Sequence, residues 1–374
     1  MFYSEEDLMK LRDLFDLKTE IEQFTALKKV GKANKMIGDC PICQSEQSLI
    51  VDPAKQNFYC VSCGNGGDVF SFYMKKNNQS LQTVLNELDH KREQTKVKNE
   101  KLMDRIYQMN EIAAGIFASN LNGAIRYIQE RQISDDMIST FRIGYAVPYK
   151  DLVTKTLLKR GFTRDEILLS GLVKEKDEEI VDKFKDRLMF PIFDQDGRII
   201  AFGGRLVEKN EKRPKYLNSP ATPAFDKSIR LFAINLAKNS KQDFFILTEG
   251  FMDTIALHQA GFDNAIAGLG TALTRWQADL ISKYKKKVYL CYDSDEPGQK
   301  ATAKAFSFLK PYGVECKVIE IKGAKDPDEL IKKFGRKKFE EAIEKSKTED
   351  EWRYSYAVQE WNPKILENEK EERR

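Results

Sequence analysis

The chain has 374 residues, 41% hydrophobic and 32% charged, with 62 basic residues against 58 acidic for a net charge of +4. That is enough length for two or three domains with proper cores, and the composition is that of a soluble protein with no apolar stretch of membrane-spanning length. The acidic start, Met1-Phe2-Tyr3-Ser4-Glu5-Glu6-Asp7, is unlike a secretory signal, so a cytoplasmic protein without a membrane partner is expected; the near balance of charge does not by itself announce a nucleic-acid binder.

In chain order, residues 1 to about 35 read as helical, with Leu8, Leu11, Leu14, Phe15, Ile21 and Phe24 at turn-like spacing. Short aromatic, strand-like pieces follow. Ser80 to Leu88 reads as an amphipathic helix behind a serine cap, and the polar run His90 to Lys101 as a linker. Helices return from Leu102 to Phe141. Mixed short strands rich in Gly, Pro and positive charge run to about Arg230, alternating strands and helices from Gln242 to about Lys322, and helices after that, before a charged tail.

Four of the six cysteines form two CxxC pairs, Cys40/Cys43 and Cys60/Cys63, separated by 16 residues. That is zinc-site spacing. Each pair makes a knuckle that points two thiolates at one ion, and four thiolates close a structural tetrahedron with no open position. Around them, Phe58, Tyr59, Phe70, Phe72 and Tyr73, mixed with Lys55, Lys75 and Lys76, offer stacking faces and phosphate contacts, although at least half of these aromatics are expected in the small core beside the ion. Cys291 and Cys316 lie in or beside apolar strands and read as small buried hydrophobes.

The acidic residues stand where apolar runs end. Phe244–Thr248 runs into Glu249-Gly250, with Asp253 one helical turn on; Lys287–Tyr292 runs into Asp293-Ser294-Asp295; Lys317–Ile321 is followed by Asp326-Pro327-Asp328. Such runs, alternating with helices, predict parallel strands, whose carboxyl edge is where function gathers. Six carboxylates converging there would repel one another unless cations sat between them, and hard oxygen ligands suit Mg²⁺ or Mn²⁺. Asp293 and Asp295, two apart on a strand end, would point the same way and grip one metal. Each acid alone has an ordinary reading as a turn, strand exit or helix-surface charge; their joint occurrence carries the argument. In the middle segment, cations in Phe-Arg142-Ile, Asp-Arg187-Leu, Gly-Gly-Arg205, Pro-Lys215-Tyr and Asp-Lys227 lie beside Gly and Pro, as phosphate contacts commonly do, though a solvated face is the ordinary reading for any one of them. His90 and His258 offer nothing catalytic.

These residues, with Cys-Pro-Ile-Cys through Asn-Phe-Tyr-Cys-Val-Ser-Cys-Gly, Arg-Leu-Met-Phe-Pro-Ile, Ala-Phe-Gly-Gly-Arg, Pro-Lys-Tyr-Leu-Asn-Ser-Pro, Thr-Glu-Gly-Phe-Met-Asp, Gly-Leu-Gly-Thr-Ala-Leu-Thr, Tyr-Asp-Ser-Asp-Glu-Pro-Gly and Lys-Asp-Pro-Asp-Glu in this order, resemble the bacterial DnaG-type DNA primases along nearly the whole chain. The resemblance implies an α+β and α/β multidomain protein. A zinc ribbon (1–88) and a linker (89–101) would precede a basic subdomain of an RNA polymerase core (102–241). A Toprim parallel-sheet core (242–322), C-terminal helices (323–362) and a tail (363–374) would follow. It implies RNA primer synthesis from ribonucleoside triphosphates on single-stranded DNA at the replication fork, by a monomer holding one structural zinc and two or more catalytic Mg²⁺ or Mn²⁺. Glu249, Asp293 and Asp295 would be catalytic. With Asp253, Asp326 and Asp328 they would hold metal, while Arg142, Arg187, Arg205, Lys215 and Lys227 would contact template and nucleotide phosphates. Two departures stand out. Cys43 replaces the family's histidine, as in the primase part of phage primase-helicases, which favours a phage or mobile-element origin. The sequence also stops near the end of the polymerase core, without the family's helicase-binding domain, which leaves a replicative helicase as a possible partner but puts its recruitment by that route in doubt. A Toprim-type metal-dependent nuclease and a non-catalytic accessory that binds single-stranded DNA are the alternatives.

Overall fold

The computed structural model describes residues 8, 11–12, 15–30, 35–208, 212–270, 272–293 and 295–356, and of residues 90 and 92–99 the backbone alone. The chain divides into two compact units, Met1–Lys101 and Leu102–Arg374. Among the described residues no helix is long and apolar enough to cross a membrane.

In the first unit, helix α1 (Leu17–Glu22) starts at Asp16, whose Oδ1 accepts from the Thr19 amide at 2.8 Å. The helical reading to residue 35 is too long: by Lys28 the chain has entered an antiparallel sheet of β1 (Lys28–Val30), β2 (Lys35–Gly38), β3 (Leu49–Asp52), β4 (Asn57–Cys60) and β5 (Gly66–Gly67), paired in that order. Leu14 lies outside the described residues. Period-two alternation turns Leu49, Val51, Phe58 and Cys60 inward. Helix α2 (Val69–Asn77), capped by Asp68, adds Phe70 and Phe72 to the same core. Three of the five candidate stacking aromatics are therefore core residues. Tyr59, at 52% exposure, is open to solvent.

Helix α3 (Leu81–Ser119) does begin behind Ser80, whose Oγ accepts from the Thr83 amide at 3.2 Å. It does not stop at Leu88: residues 90–101 are helical as well. Lys, Glu, Gln and Arg are all strong helix formers, so a run without an apolar face can still be helical.

Among its described residues the second unit holds three sheets. The first begins with β6 (Gly144–Ala146), and β7 (Val173–Lys176) and β8 (Glu179–Asp182) form a separate hairpin. Strands β9 (Arg187–Phe193), β10 (Ile199–Leu206) and β11 (Tyr216–Asn218) complete the first sheet in the order β11-β10-β9-β6, antiparallel throughout. Every residue of β9 and β10 is buried, because two apolar clusters cover the two faces.

The third sheet runs β13-β12-β14-β15-β16 and is built from β12 (Phe245–Thr248), β13 (Ala265–Ala267), β14 (Lys287–Cys291), β15 (Glu315–Val318) and β16 (Lys347–Thr348). Its first four members are parallel, as the apolar runs predict, and the edge strand β16 is antiparallel. Helices α4 (Phe251–Gln259), α5 (Arg275–Tyr284) and α6 (Glu296–Leu309) are the crossovers, and α7 (Pro327–Glu344) follows β15, broken at Gly335 where φ is 76°. Cys291 is buried on β14 and Cys316 half-buried on β15.

Candidate active site

The two knuckles of the zinc ribbon repeat one hydrogen-bond pattern. The Gln44 amide donates to the Cys40 carbonyl at 2.8 Å and the Cys40 amide to the Ser45 carbonyl at 2.9 Å. Gly64, Cys60 and Asn65 make the same pair of bonds at 3.0 and 2.8 Å. The turn places a left-handed residue directly after the second cysteine of each pair, Gln44 (φ 61°) and Gly64 (φ 72°). All four sulfurs lie within 4.8 Å of one another. A Zn–S bond of about 2.3 Å implies S···S edges near ~3.8 Å, and Cys43 and Cys60 are 3.7 Å apart, so the donor set fits one zinc ion. The hydrogen bonds Cys43 receives, first from the Ser45 side chain, bring its thiol down to about 6; burial pushes Cys40 up to about 12. Replacing the family's imidazole with Cys43 thus leaves a complete quartet.

The acidic site sits at the carboxyl ends of β12 and β14. Glu249 follows β12 directly, and its Oε1 accepts from the Asp293 amide at 2.9 Å, tying the ends of two neighbouring strands together. Asp253 is in the first turn of α4 and Asp293 two residues past β14. Asp326 caps α7, accepting from the Glu329 amide at 2.8 Å. Asp328, only 6% exposed, pairs with Lys332 at 2.7 Å and Arg131 at 3.6 Å. All five carboxylates line one cavity of about 310 Å³, together with Arg131, Arg205, Lys215 and Lys325.

The sixth acid is elsewhere. Asp295 does not share a strand end with Asp293: β14 stops at Cys291, and Asp295 is the N-cap of α6, with Oδ1 accepting from the Gly298 amide at 2.9 Å. It is absent from the cavity wall, and no three acids meet as tightly as the cysteines do among the described residues.

Like charges in one cavity leave an electrostatic signature. Burial, then the charges of Asp326, Asp293 and Asp328, push the Asp253 carboxyl up to about 8. Burial and then Glu249, Asp326 and Asp295 raise Asp293 to about 6, and burial lifts Glu249 above its usual range. Lys215 shifts in the opposite sense, lowered by burial and then by the neighbouring charges of Arg205, Arg131 and Lys325. Carboxylates that hold protons near neutrality are a donor set short of positive charge, and all-oxygen donors match Mg²⁺ or Mn²⁺.

The basic residues divide in the same way. Arg205 and Lys215 face the cavity. Arg187 is 2% exposed and donates to the carbonyls of Gly204, Pro214 and Lys215 at 3.1, 2.8 and 3.3 Å, so its guanidinium joins β9 to the turn after β10. Burial lowers its pKa to about 10. Arg142 forms a two-pronged pair with Glu111 at 2.8 and 3.0 Å, and Lys227 is exposed away from the cavity. Sequence reasoning missed Arg131, Tyr216, Asn218 and Lys325. Tyr216 and Asn218 stand inside the Pro-Lys-Tyr-Leu-Asn motif and were available there; Arg131 carries no local signal. His258 Nε2–H donates to the Ala265 carbonyl (2.9 Å) and the ring packs edge-on to Phe141, a structural position.

Gly298 is what lets α6 approach. A Cβ there would lie 2.1 Å from the Asp293 carbonyl oxygen and 3.0 Å from Glu249 Oε1. The Gly298→Ala variant is expected to lose about 1–3 kcal/mol of stability through this clash and to bind divalent metal more weakly, read by thermal unfolding and metal titration. Unchanged values in both would show that α6 adjusts without disturbing the acids.

An antiparallel core sheet, a Toprim-type parallel sheet with acids at its carboxyl edge and a zinc ribbon together define a primase-like architecture. Family models agree: the CHC2 zinc finger matches residues 3–104, the DNA primase catalytic core N-terminal domain residues 114–238, and the Toprim-like domain residues 246–331. The chain is 35% identical to the DNA primase of Clostridium acetobutylicum over 98% of its length and 63% of that protein's. It is 34% identical to the DNA primase of Aquifex aeolicus, covering 91% of this chain and 69% of that one. Among solved structures, the Aquifex aeolicus primase zinc-binding and RNA polymerase domains match at 32% identity and a TM-score of 0.62, over 91% of this chain and 85% of that one. A DnaG primase catalytic domain bound to single-stranded DNA matches at 30% identity and 0.65, over 70% and 84%. The chain belongs to the bacterial DnaG-type DNA primase family. It spans about 63% and 62% of the length of the first two curated relatives it matches.

Proposed function

We propose that this chain makes short RNA primers on single-stranded DNA by metal-assisted nucleotidyl transfer. The observation that carries the reading is the single cavity where five carboxylates and four cations meet at the ends of parallel strands. In the reaction the 3′-oxygen of one ribonucleotide bonds to the α-phosphorus of the next. The bond between the α-phosphorus and the bridging oxygen to the β-phosphate breaks, pyrophosphate leaves, and the hydroxyl proton passes to a carboxylate or water. Divalent ions held by Glu249, Asp253, Asp293, Asp326 and Asp328 would supply charge neutralisation and a lowered hydroxyl pKa.

The chain's own residues do the rest. Arg205, Lys215, Arg131 and Lys325 receive the triphosphate, and in a partly enclosed site their charges act with little screening. Glu249, fixed by the Asp293 amide, holds the two strand ends in register. Asp295 acts one step removed, by capping α6 and so positioning Gly298 against Asp293. In the first unit the exposed Tyr59 and Lys55 offer a stacking face and a phosphate contact to single-stranded DNA. One structural zinc supports that surface.

The reading is tested by incubating the chain with labelled ribonucleotides, single-stranded templates and Mg²⁺ or Mn²⁺. RNA that requires template and metal supports it. Template shortening with no need for nucleotides would identify a nuclease instead.

Acid repulsion also predicts a pH dependence. With the metal absent, Asp253 and Asp293 keep protons in the folded state that the unfolded chain releases near the usual carboxylate value of 3.8. Between about pH 4 and 8 the folded state therefore binds more protons, and stability falls as pH rises through that window. Melting temperatures across this range should slope downward without Mg²⁺ and flatten with it; an identical slope in both series would contradict the metal assignment.

A further inference from the structure

A second cavity, of about 390 Å³, adjoins the charged one: Glu249, Gly268 and Gly270 line both. Its remaining wall is of a different kind. Leu247, Leu273, Tyr292, Pro297 and Ala301 make it apolar, and Glu249 is its one charged side chain among the described residues. The hydroxyl of Thr248, also in the wall, is already engaged with Thr254 at 2.9 Å and with the Ile266 carbonyl at 3.3 Å. The volume is that of a small-molecule site, about 300–1,000 Å³.

Two adjoining cavities that share one carboxylate suit a reaction joining two nucleotides. The first offers four cations and takes phosphates. The second offers an aromatic ring, aliphatic walls and space, which suits a flat, weakly polar group. We propose that the second cavity holds the nucleoside moiety, base and ribose, of the initiating ribonucleotide, the one that supplies the 3′-hydroxyl. This rests on the primer-synthesis reading and adds a second nucleotide site to it.

The cavity leaves most of the choice of base to pairing with the template: among the described residues only Glu249, Tyr292 and the already engaged Thr248 bring polar side-chain atoms to its wall. It also separates two stages of synthesis. In the first bond formation, the initiating nucleotide is held by one base pair and this cavity. Later the growing strand is held by many base pairs, and the cavity matters little.

Ala301 lies on α6 at the cavity wall and is only partly buried, so a longer side chain there fills space rather than breaking the core. The Ala301→Met variant is compared with wild type in two assays: template-directed dinucleotide synthesis, and extension of a preannealed RNA oligonucleotide. The expected result is a KM for the initiating nucleotide raised tenfold or more, with extension within about twofold of wild type. Lys304→Ala, exposed on the same helix, should alter neither. Equal loss in both assays, or no loss in either, overturns the second site while leaving primer synthesis intact. A wild type that forms no dinucleotide on any template removes the primer-synthesis reading itself, and this site with it.

Discussion

The Asp293→Ala variant is expected to make no detectable RNA while keeping its fold and most of its affinity for single-stranded DNA. The reason is electrostatic. Asp293 is half-buried among like charges, and its carboxyl is pushed up to about 6 by burial and then by Glu249, Asp326 and Asp295. In the proposed reading a divalent cation offsets that repulsion, so removing the side chain withdraws one of five proposed ligands. Metal-centred charge stabilisation is worth several kcal/mol, and each 1.36 kcal/mol is tenfold in rate, giving a loss of about 10³-fold or more. The contact that ties the strand ends uses the Asp293 backbone amide and survives the change. Metal-free Asp293→Ala should therefore melt at the wild-type temperature or above it, since one repelling acid is gone. Gel assays of RNA product, melting curves and fluorescence-anisotropy titration of single-stranded DNA check the three parts. Polymerisation within tenfold of wild type would contradict the assigned role.

Stripping the zinc, or replacing Cys60 with Ser, is expected to unfold the first unit and leave the second folded. The described core of the first unit is small, built on residues such as Leu17, Ile21, Leu49, Phe58 and Phe72, and Cys40 and Cys60 are themselves part of it. Structural zinc contributes about 10–16 kcal/mol of apparent binding energy. Whole domains have net stabilities of only about 5–15 kcal/mol, so a core this small cannot stand without the ion. The second unit has its own clusters around β9, β10 and β12–β15. Zinc content should fall from one per chain to near zero, with amide protection lost across residues 28–77 and kept in β9, β10, β12 and β14. Cys43→His, which restores the family's ligand, should retain zinc. Full protection of residues 28–77 in the zinc-free protein would overturn this account of the ribbon.

How much of this was legible in the sequence depended on whether a residue's role is local. The parallel strands were readable because Phe245–Thr248 is a short apolar run buried on both faces, and Lys287–Cys291 is another in which Val288, Leu290 and Cys291 are buried. The zinc quartet was readable because CxxC knuckles fix their own geometry. Asp295 was misplaced on a strand end, yet a better signal lay in view: Asp295-Glu296-Pro297-Gly298 has a capping residue followed by a proline in the first turn, the mark of a helix start. Asp326-Pro327 carries the same mark, and there the capping acid still faces the cavity.

Non-local roles were hidden. Arg131 reaches Asp328 at 3.6 Å across 197 positions of sequence, and nothing around it announces a site. Arg187 looked like a phosphate contact because it is a cation beside apolar residues near Gly and Pro. Its burial and three carbonyl acceptors make it a structural tie instead. The helical run through residues 90–101 was hidden for another reason. Its side chains carry no apolar period, and only the intrinsic preference of Lys, Glu, Gln and Arg marks it.

In the proposed mechanism, one cavity at the carboxyl edge of the parallel sheet holds the catalytic cations. Anomalous diffraction from crystals soaked in Mn²⁺ tests it most directly. The account predicts manganese density among Glu249, Asp253, Asp293, Asp326 and Asp328, lost in the Asp293→Ala protein. Manganese bound only elsewhere on the surface, with that cavity empty at saturating metal, would contradict it.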